Sequence, residues 1–290
     1  MTHTDTIHAI KSRFEKIQAT FDVAIAYLDA EDIQAFRSEV KKLRAFLQLV
    51  SPREKLKLPR RLHQFYRIAG EIRNLQLQEQ RIRDAFLNKG SLPQSYLTLL
   101  AIEAAKHIRR ARKLAVDELS IAAEQQRVLQ VLPNRLARES VRAFSLDSVQ
   151  RLQTIGNQVQ PVGNDALHGL RKCLKGLFYN HSYIKKEAAE ILPFPAAATK
   201  NTFAALIDLL GQYQDIRTGL VLLRPCYIDQ VADAAEKSSL EAVRTQWEDD
   251  KATLKHRILS SQLPMLHHAG VPTWEKKWGN APMDVSQRFL

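Results

Sequence analysis

Gln34-Ala35-Phe36-Arg37-Ser38-Glu39-Val40-Lys41-Lys42-Leu43-Arg44 is the stretch whose pattern decides the fold. Its apolar positions run on through Phe36, Val40, Leu43, Leu47 and Val50, the period of a helix buried along one side. The cations follow a different rule. Arg37, Lys41 and Arg44 have no carboxylate three or four residues away in either direction. Surface helices commonly place Glu or Asp there, and like charges left at that spacing cost about 0.2–0.5 kcal/mol per pair. Lys42 differs, because Glu39 lies three residues before it.

The pattern returns at His168-Gly169-Leu170-Arg171-Lys172-Cys173-Leu174-Lys175-Gly176-Leu177-Phe178. Superposing the copies pairs Gln34 with His168, Arg37 with Arg171 and Lys41 with Lys175. Each set occupies one helix face. From Ala166 to Lys186 the chain holds no acid, while Arg171, Lys172, Lys175, Lys185 and Lys186 fall inside that stretch. A repeated electrostatic cost of this kind is recovered on binding an anion.

The whole composition points the same way. With a formal net charge of +12 at pH 7, the protein is drawn to anions: nucleic acid, an acidic membrane or an inorganic polyanion. Cys173 and Cys226 are the only cysteines, and Cys173 sits among Leu170, Leu174 and Leu177, so a buried thiol in a reducing cytosol is expected. The N-terminal Met1-Thr2-His3-Thr4-Asp5 lacks the pattern of a signal peptide. No apolar run approaches the ~20 residues that span a bilayer. A cytoplasmic protein without a membrane partner is expected.

Helical periodicity continues almost throughout, and alternating strand-like stretches are missing, so the chain is expected to be all-α. Breaks fall at Leu28 to Glu31, at Ser51-Pro52 with Pro59 following, and at Gly90 to Pro93. Others fall near Pro133-Asn134, at Gln160 to Asn164, at Pro193 to Pro195, and at Arg224-Pro225. They mark out eight long helical segments, four before Pro133 and four after, and the second of each four carries the basic motif. The expected architecture is two antiparallel four-helix bundles, residues 1–132 and 133–263, related by an internal repeat with a pseudo-two-fold axis. Residues 264–290, with Trp274 and Trp278 among prolines and glycines, are expected to form an irregular tail.

The third helices repeat as well: Gly70-Glu71-Ile72-Arg73-Asn74 corresponds to Gly211-Gln212-Tyr213-Gln214-Asp215. Glycine inside a helix costs about 1 kcal/mol against alanine, so its reuse predicts close helix packing at both places. Arg73, Asn74 and Asp215 are expected to orient neighbouring arginines, with Arg73 also reaching the ligand. On the fourth helix, Lys106, Arg109, Arg110 and Lys113 form a further basic stretch that extends the site. Lys57, Arg60 and Arg61 are more ordinary surface cations.

These residues resemble the CHAD domain, the conserved histidine α-helical domain. Its hallmark pairs a helix H-x-x-R-x-x-x-[RK]-[RK]-x-R and a helix L-G-x-x-R-D with a second half L-H-x-L-R-K-x-x-K and L-G-x-x-N-D. Leu167-His168-Gly169-Leu170-Arg171-Lys172-Cys173-Leu174-Lys175 matches the second-half motif at each specified position, and Leu210-Gly211 with Asp215 matches its follower. The first half departs from the pattern: Gln34 replaces the histidine, Ala69 the leucine and Asn74 the aspartate. In the second half Phe178 replaces an arginine. The resemblance spans roughly residues 1 to 262 and implies two four-helix bundles whose basic surface or channel binds inorganic polyphosphate, with targeting to polyphosphate granules. It does not imply catalysis.

Polyphosphate has charge and oxygen acceptors but no bases, so Arg and Lys stripes supply what recognition needs. Arg37 and Arg44 lie roughly 10 Å apart along a helix axis, so one stripe touches several phosphates. The expected binding residues are Arg37, Lys41, Lys42, Arg44, Arg73, Lys106, Arg109, Arg110, Lys113, His168, Arg171, Lys172 and Lys175. His168 shares a face with Arg171 and Lys175, which oppose its protonation, whereas bound phosphate favours it. The alternative is a nucleic-acid-binding helical protein gripping the phosphate backbone. Base recognition needs stacking aromatics, and only Phe178 and Tyr179 lie near the second stripe. Phosphoryl-transfer chemistry needs carboxylate clusters or a phosphate loop, which do not accompany the stripes, and His267-His268 lack ligand spacing. No enzyme activity, metal or cofactor is expected.

Overall fold

Thr2 opens the first helix with a reciprocal cap: its hydroxyl accepts from the Asp5 amide at 3.1 Å, and the Asp5 carboxylate accepts from the Thr2 amide at 2.8 Å. In the computed structural model, which describes residues 2–52, 56–87, 91–132, 138–156, 163–191 and 200–261, this helix α1 spans His3–Tyr27. It stops at Leu28, whose φ of 55° lies in the left-handed region. Leucine adopts that conformation only when held there. Its side chain is buried, and its carbonyl accepts from Gln76 Nε2 at 2.8 Å.

After this turn Asp29 caps α2, Ala30–Val50, accepting from the Glu31 and Asp32 amides. There follow α3 Arg60–Phe86, α4 Gln94–Asp117, α5 Ile121–Gln130, α6 Arg138–Gly156 and α7 Asn164–Ile191. The last three are α8 Lys200–Leu222, the single turn α9 Pro225–Ile228 and α10 Ala234–Ser261. All regular structure among the described residues is helical, as the periodicity requires. Among the described residues ten helices stand where eight segments were expected. The break before α5 contains neither Gly nor Pro; Ser120 makes it by accepting from the Ala123 amide at 3.2 Å. After Arg224, α9 and the turn at Asp229 to Asp233 precede α10. The expected tail, with Trp274, Trp278, His267 and His268, lies outside the described residues, as do Pro133, Pro193 and Pro195.

Neighbours pack in the order α1, α2, α3, α4, and the order recurs as α6, α7, α8, α10. Across the two sets α2 packs on α7 and α6, and α3 on α8. Edge-on rings join the first three helices: Phe65 lies 4.9 Å from Phe21 and 5.3 Å from Phe36 between centroids. Two buried clusters hold the body together, and both draw on residues before and after position 133. The larger runs from Ile10 and Phe36 to Leu170, Leu210 and Ile258, and the smaller joins Ile82, Tyr96 and Leu100 to Leu223, Val231 and Leu240.

Polar ties cross the same seam. Asn180 on α7 donates to the Ala45 carbonyl of α2 at 2.8 Å in a buried setting. Arg81 on α3 donates to the Asp215 carbonyl of α8 at 2.8 Å. The carboxylate of Glu236 on α10 accepts from the Tyr96 and Ser95 amides at 2.8 and 3.3 Å. It thereby caps α4, whose own N-cap residue, Pro93, offers no side-chain acceptor. Of these contacts, the one from Asn180 to Ala45 ties together α7 and α2, the helices that carry the two basic faces.

Candidate polyanion-binding site

Arg37 is placed by α3. Its guanidinium carbon lies 4.1 Å from the centroid of the Tyr66 ring, and Nη1 donates to the Tyr66 carbonyl. Below it is Gly70: a Cβ there would come within 2.6 Å of Arg37 Cζ and 2.9 Å of Nη2, and closer still to Nη1. The second half repeats the arrangement more loosely, with Arg171 Nη2 at 3.5 Å and Nε at 3.8 Å from where a Gly211 Cβ would stand. Both glycines were expected to permit close helix packing. What they admit is an arginine head group.

Cations from the two halves meet between these points. Lys41 is half-buried, and its ammonium is pushed down to about 7 by burial first, then by Arg37, Lys175, Arg171 and Arg73. Burial, with Arg171 and Arg73 adding to it, lowers Lys175, against the pull of Asp208 and Asp215. Arg73 is lowered by burial, then by Arg81 and Arg171, with Asp215 opposing. Arg37, lowered chiefly by burial, also feels Arg73 and Arg44. Arg37, Lys41, Arg44, Arg73, Arg171 and Lys175 make no salt bridge to any acid among the described residues.

Donors are left over as well. Arg73 Nε and Arg171 Nε are buried without a hydrogen-bond partner, and the ring nitrogen His168 Nδ1 is buried and unpartnered beside them. Buried N–H groups are nearly always satisfied in folded proteins, so the two guanidinium donors in one basic cluster mark a place where acceptor oxygens belong. His168 is held below the usual imidazole range by burial first and then by Lys172, Arg217 and Arg171, with Gln214 opposing. The direction expected for it from its face-sharing arginine holds, and desolvation is the larger cause. Lys172 is exposed at the edge.

Other expected site residues are placed elsewhere. Lys42 turns to a different face of α2, where it pairs with Glu39 and lines a cavity of about 350 Å³ with Asp5, His8, Arg13, Lys16 and Tyr183. One residue after Lys41, it is rotated about 100° around the helix. Lys106 pairs with Glu103 at 2.8 Å. Arg109, Arg110 and Lys113 are exposed on α4, and none of them is among the leading charges that act on the central cations. The structure therefore does not bring the α4 stretch into the cluster. It adds residues that the sequence reading left out, above all Tyr66. The signal was there: Tyr66 stands four residues before Gly70, on the same face of α3. Among the described residues no group of His, Cys, Asp or Glu is arranged to hold a metal ion, and no helix is long and apolar enough to cross a membrane.

A family model described as the CHAD domain matches residues 8–224. The chain belongs to the CHAD domain family. A solved relative of this CHAD domain is described as the crystal structure of the CHAD domain from the plant Ricinus communis. It is 17% identical, with 93% of this chain and 91% of that chain covered and a TM-score of 0.63. At that identity the likeness establishes the shared helical fold. No curated protein matches the chain.

Proposed function

We propose that this CHAD domain is a non-catalytic binding module for inorganic polyphosphate, serving to attach to or organise polyphosphate granules. The observation that carries the reading is the meeting of unpaired cations from the two halves, Arg37 and Lys41 with Arg171, Lys175 and Arg73. Holding like charges together at partial burial costs free energy in the empty protein. A polyanion laid between them reverses the sign of that term at every phosphate. The guanidiniums of Arg73 and Arg171 bring unused Nε–H donors, and the lysines bring point charges that tolerate many registers of a featureless polymer.

Polyphosphate is favoured over nucleic acid by the state of the aromatics. One face of the Tyr66 ring is covered by Arg37, so the ring backs a guanidinium instead of offering itself to a base. Calorimetric titration at physiological salt with long-chain polyphosphate and with single- and double-stranded nucleic acid tests the proposal. It is run on the wild type and on Arg37→Ala/Arg171→Ala. Strong polyphosphate binding that the double variant loses, with nucleic acid much weaker, is expected. Equal binding of every polyanion, unaffected by the substitutions, would overturn it.

A further inference from the structure

Arg13 on α1 is held by an aromatic ring, as Arg37 is. Its guanidinium carbon stands 5.0 Å from the centroid of the buried Phe46 ring on α2, and Phe46 in turn meets Tyr183 of α7 at 5.0 Å between centroids. Stacking occupies the face of a guanidinium and leaves its N–H groups, which lie in the plane, for acceptors. The Nε of Arg13 has none: it is buried without a hydrogen-bond partner.

Arg13 and Tyr183 both line the cavity of about 350 Å³ formed by α1, α2 and α7, a size found among small-molecule sites, which run from about 300 to 1,000 Å³. The α1 residues that line it, among them Asp5, Ser12 and Lys16, fall at the spacing of one helix face. Its acids are already engaged. The Asp5 carboxylate accepts from the Thr2 amide at 2.8 Å, and the Glu39 carboxylate pairs with Lys42. Arg13 and Lys16 make no salt bridge to any acid among the described residues. Two cations of the lining are therefore uncompensated. Arg37, Lys41, Arg73, Arg171 and Lys175 do not line this cavity.

We propose that the cavity is a second anion site, separate from the basic cluster, for a small phosphate monoester with a hydroxylated body, of the sugar-phosphate class. Arg13 and Lys16 take the phosphate, the first through its fork of donors and the second as a point charge. The charges match, because a monoester carries about −1.5 to −2 at pH 7 against two uncompensated cations. Beyond the phosphate, the Ser12 and Tyr183 hydroxyls and the remaining carboxylate oxygens of Asp5 and Glu39 can exchange hydrogen bonds with the hydroxyls of the ester. Those same carboxylates repel a second phosphate group, which selects against a polymer. The proposal does not depend on polyphosphate binding at the central cluster.

The full chain is titrated calorimetrically with glucose 6-phosphate, ribose 5-phosphate and glycerol 3-phosphate, with inorganic phosphate and glucose alongside. Wild type, Arg13→Gln, Lys16→Gln and Arg37→Ala/Arg171→Ala are compared. At least one ester is expected to bind saturably and about tenfold or more tighter than inorganic phosphate, with glucose not binding. Arg13→Gln and Lys16→Gln should each weaken it about tenfold, the scale of a lost charged hydrogen bond, and the double variant should retain it. Lys16 is exposed, so its substitution tests the site without disturbing the stack on Phe46, and thermal unfolding checks that each variant is folded. Failure of all three esters to bind overturns the proposal. So does inorganic phosphate binding as tightly as the esters, which would mean that the body is not recognised. Loss of ester binding in the double variant alone would place the phosphate in the basic cluster and overturn it too. Polyphosphate affinity of Arg13→Gln, expected to equal that of the wild type, keeps a failure here distinct from a failure of the polyphosphate reading.

Discussion

The guanidinium of Arg37 occupies the space that a side chain on Gly70 would fill. Glycine at this helix position is unfavourable locally, yet it allows a charged group to lie flat on α3 with the Tyr66 ring beneath it. Placing that arginine is a tertiary use of a residue that costs the helix about 1 kcal/mol.

Substituting the two glycines should separate these effects. Gly211→Ala meets Arg171 only at ordinary contact distance, so the gain in helix propensity is expected to dominate and leave stability equal or raised by up to about 1 kcal/mol. Gly70→Ala must displace Arg37 and should lower stability by about 1–3 kcal/mol while weakening polyphosphate binding. Urea unfolding with parallel titrations checks both. Equal behaviour of the two variants would contradict the geometry.

The empty protein should grow more stable as pH rises from about 7 toward 10. Lys41 keeps its proton in the unfolded chain up to roughly 10.4, but in the folded chain only up to about 7. Between those values the unfolded state binds the extra proton, so stability climbs with pH. Below about 7 both states are protonated, and the buried charge exerts its full penalty. Lys41→Met should flatten the slope and raise stability at pH 6.5, as followed by denaturant midpoints at several pH values. An unchanged slope would mean that another group is responsible.

Peripheral cations should matter little. Arg109→Ala, Arg110→Ala, Lys113→Ala and Lys42→Ala are each expected to alter polyphosphate affinity by less than about threefold, the scale of a screened surface charge. Arg171→Ala should cost tenfold or more, since a charge-assisted bond is worth about 1.5–3 kcal/mol. Titrations at two salt concentrations distinguish the groups. A large loss in the α4 variants would return that helix to the site.

Glu236→Gln provides a control at a distance from the basic cluster. It weakens the carboxylate cap that α10 places on the α4 amides, at an expected cost of about 1 kcal/mol, with polyphosphate affinity unchanged. Thermal unfolding and one titration suffice, and a coupled loss of binding would show that α4 placement controls the cluster.

Local signals were enough to recover most helix boundaries. Asp29 after Leu28, Pro93 before α4 and Asn164 opening α7 all stand where caps and breakers were legible. Ser120 was not, because a lone serine among helix formers stops a helix only if its hydroxyl finds the Ala123 amide. The same limit applies to the site. Periodicity put Arg37 with Lys41 and Arg171 with Lys175, since residues on one helix face stay together wherever the helix goes.

What the sequence by itself determined was the all-helical class, the duplicated basic faces and the family, all written in spacings of a few residues. Tertiary structure decided which cations face one another. Lys41 lies amid Arg73, Arg171 and Lys175 because α2 packs on α7 beside α3, while Lys42 and the α4 basic residues, as cationic in sequence, face elsewhere. Charge is a property of a residue, but desolvation and repulsion depend on what packing brings within a few ångströms, and no local spacing encodes that.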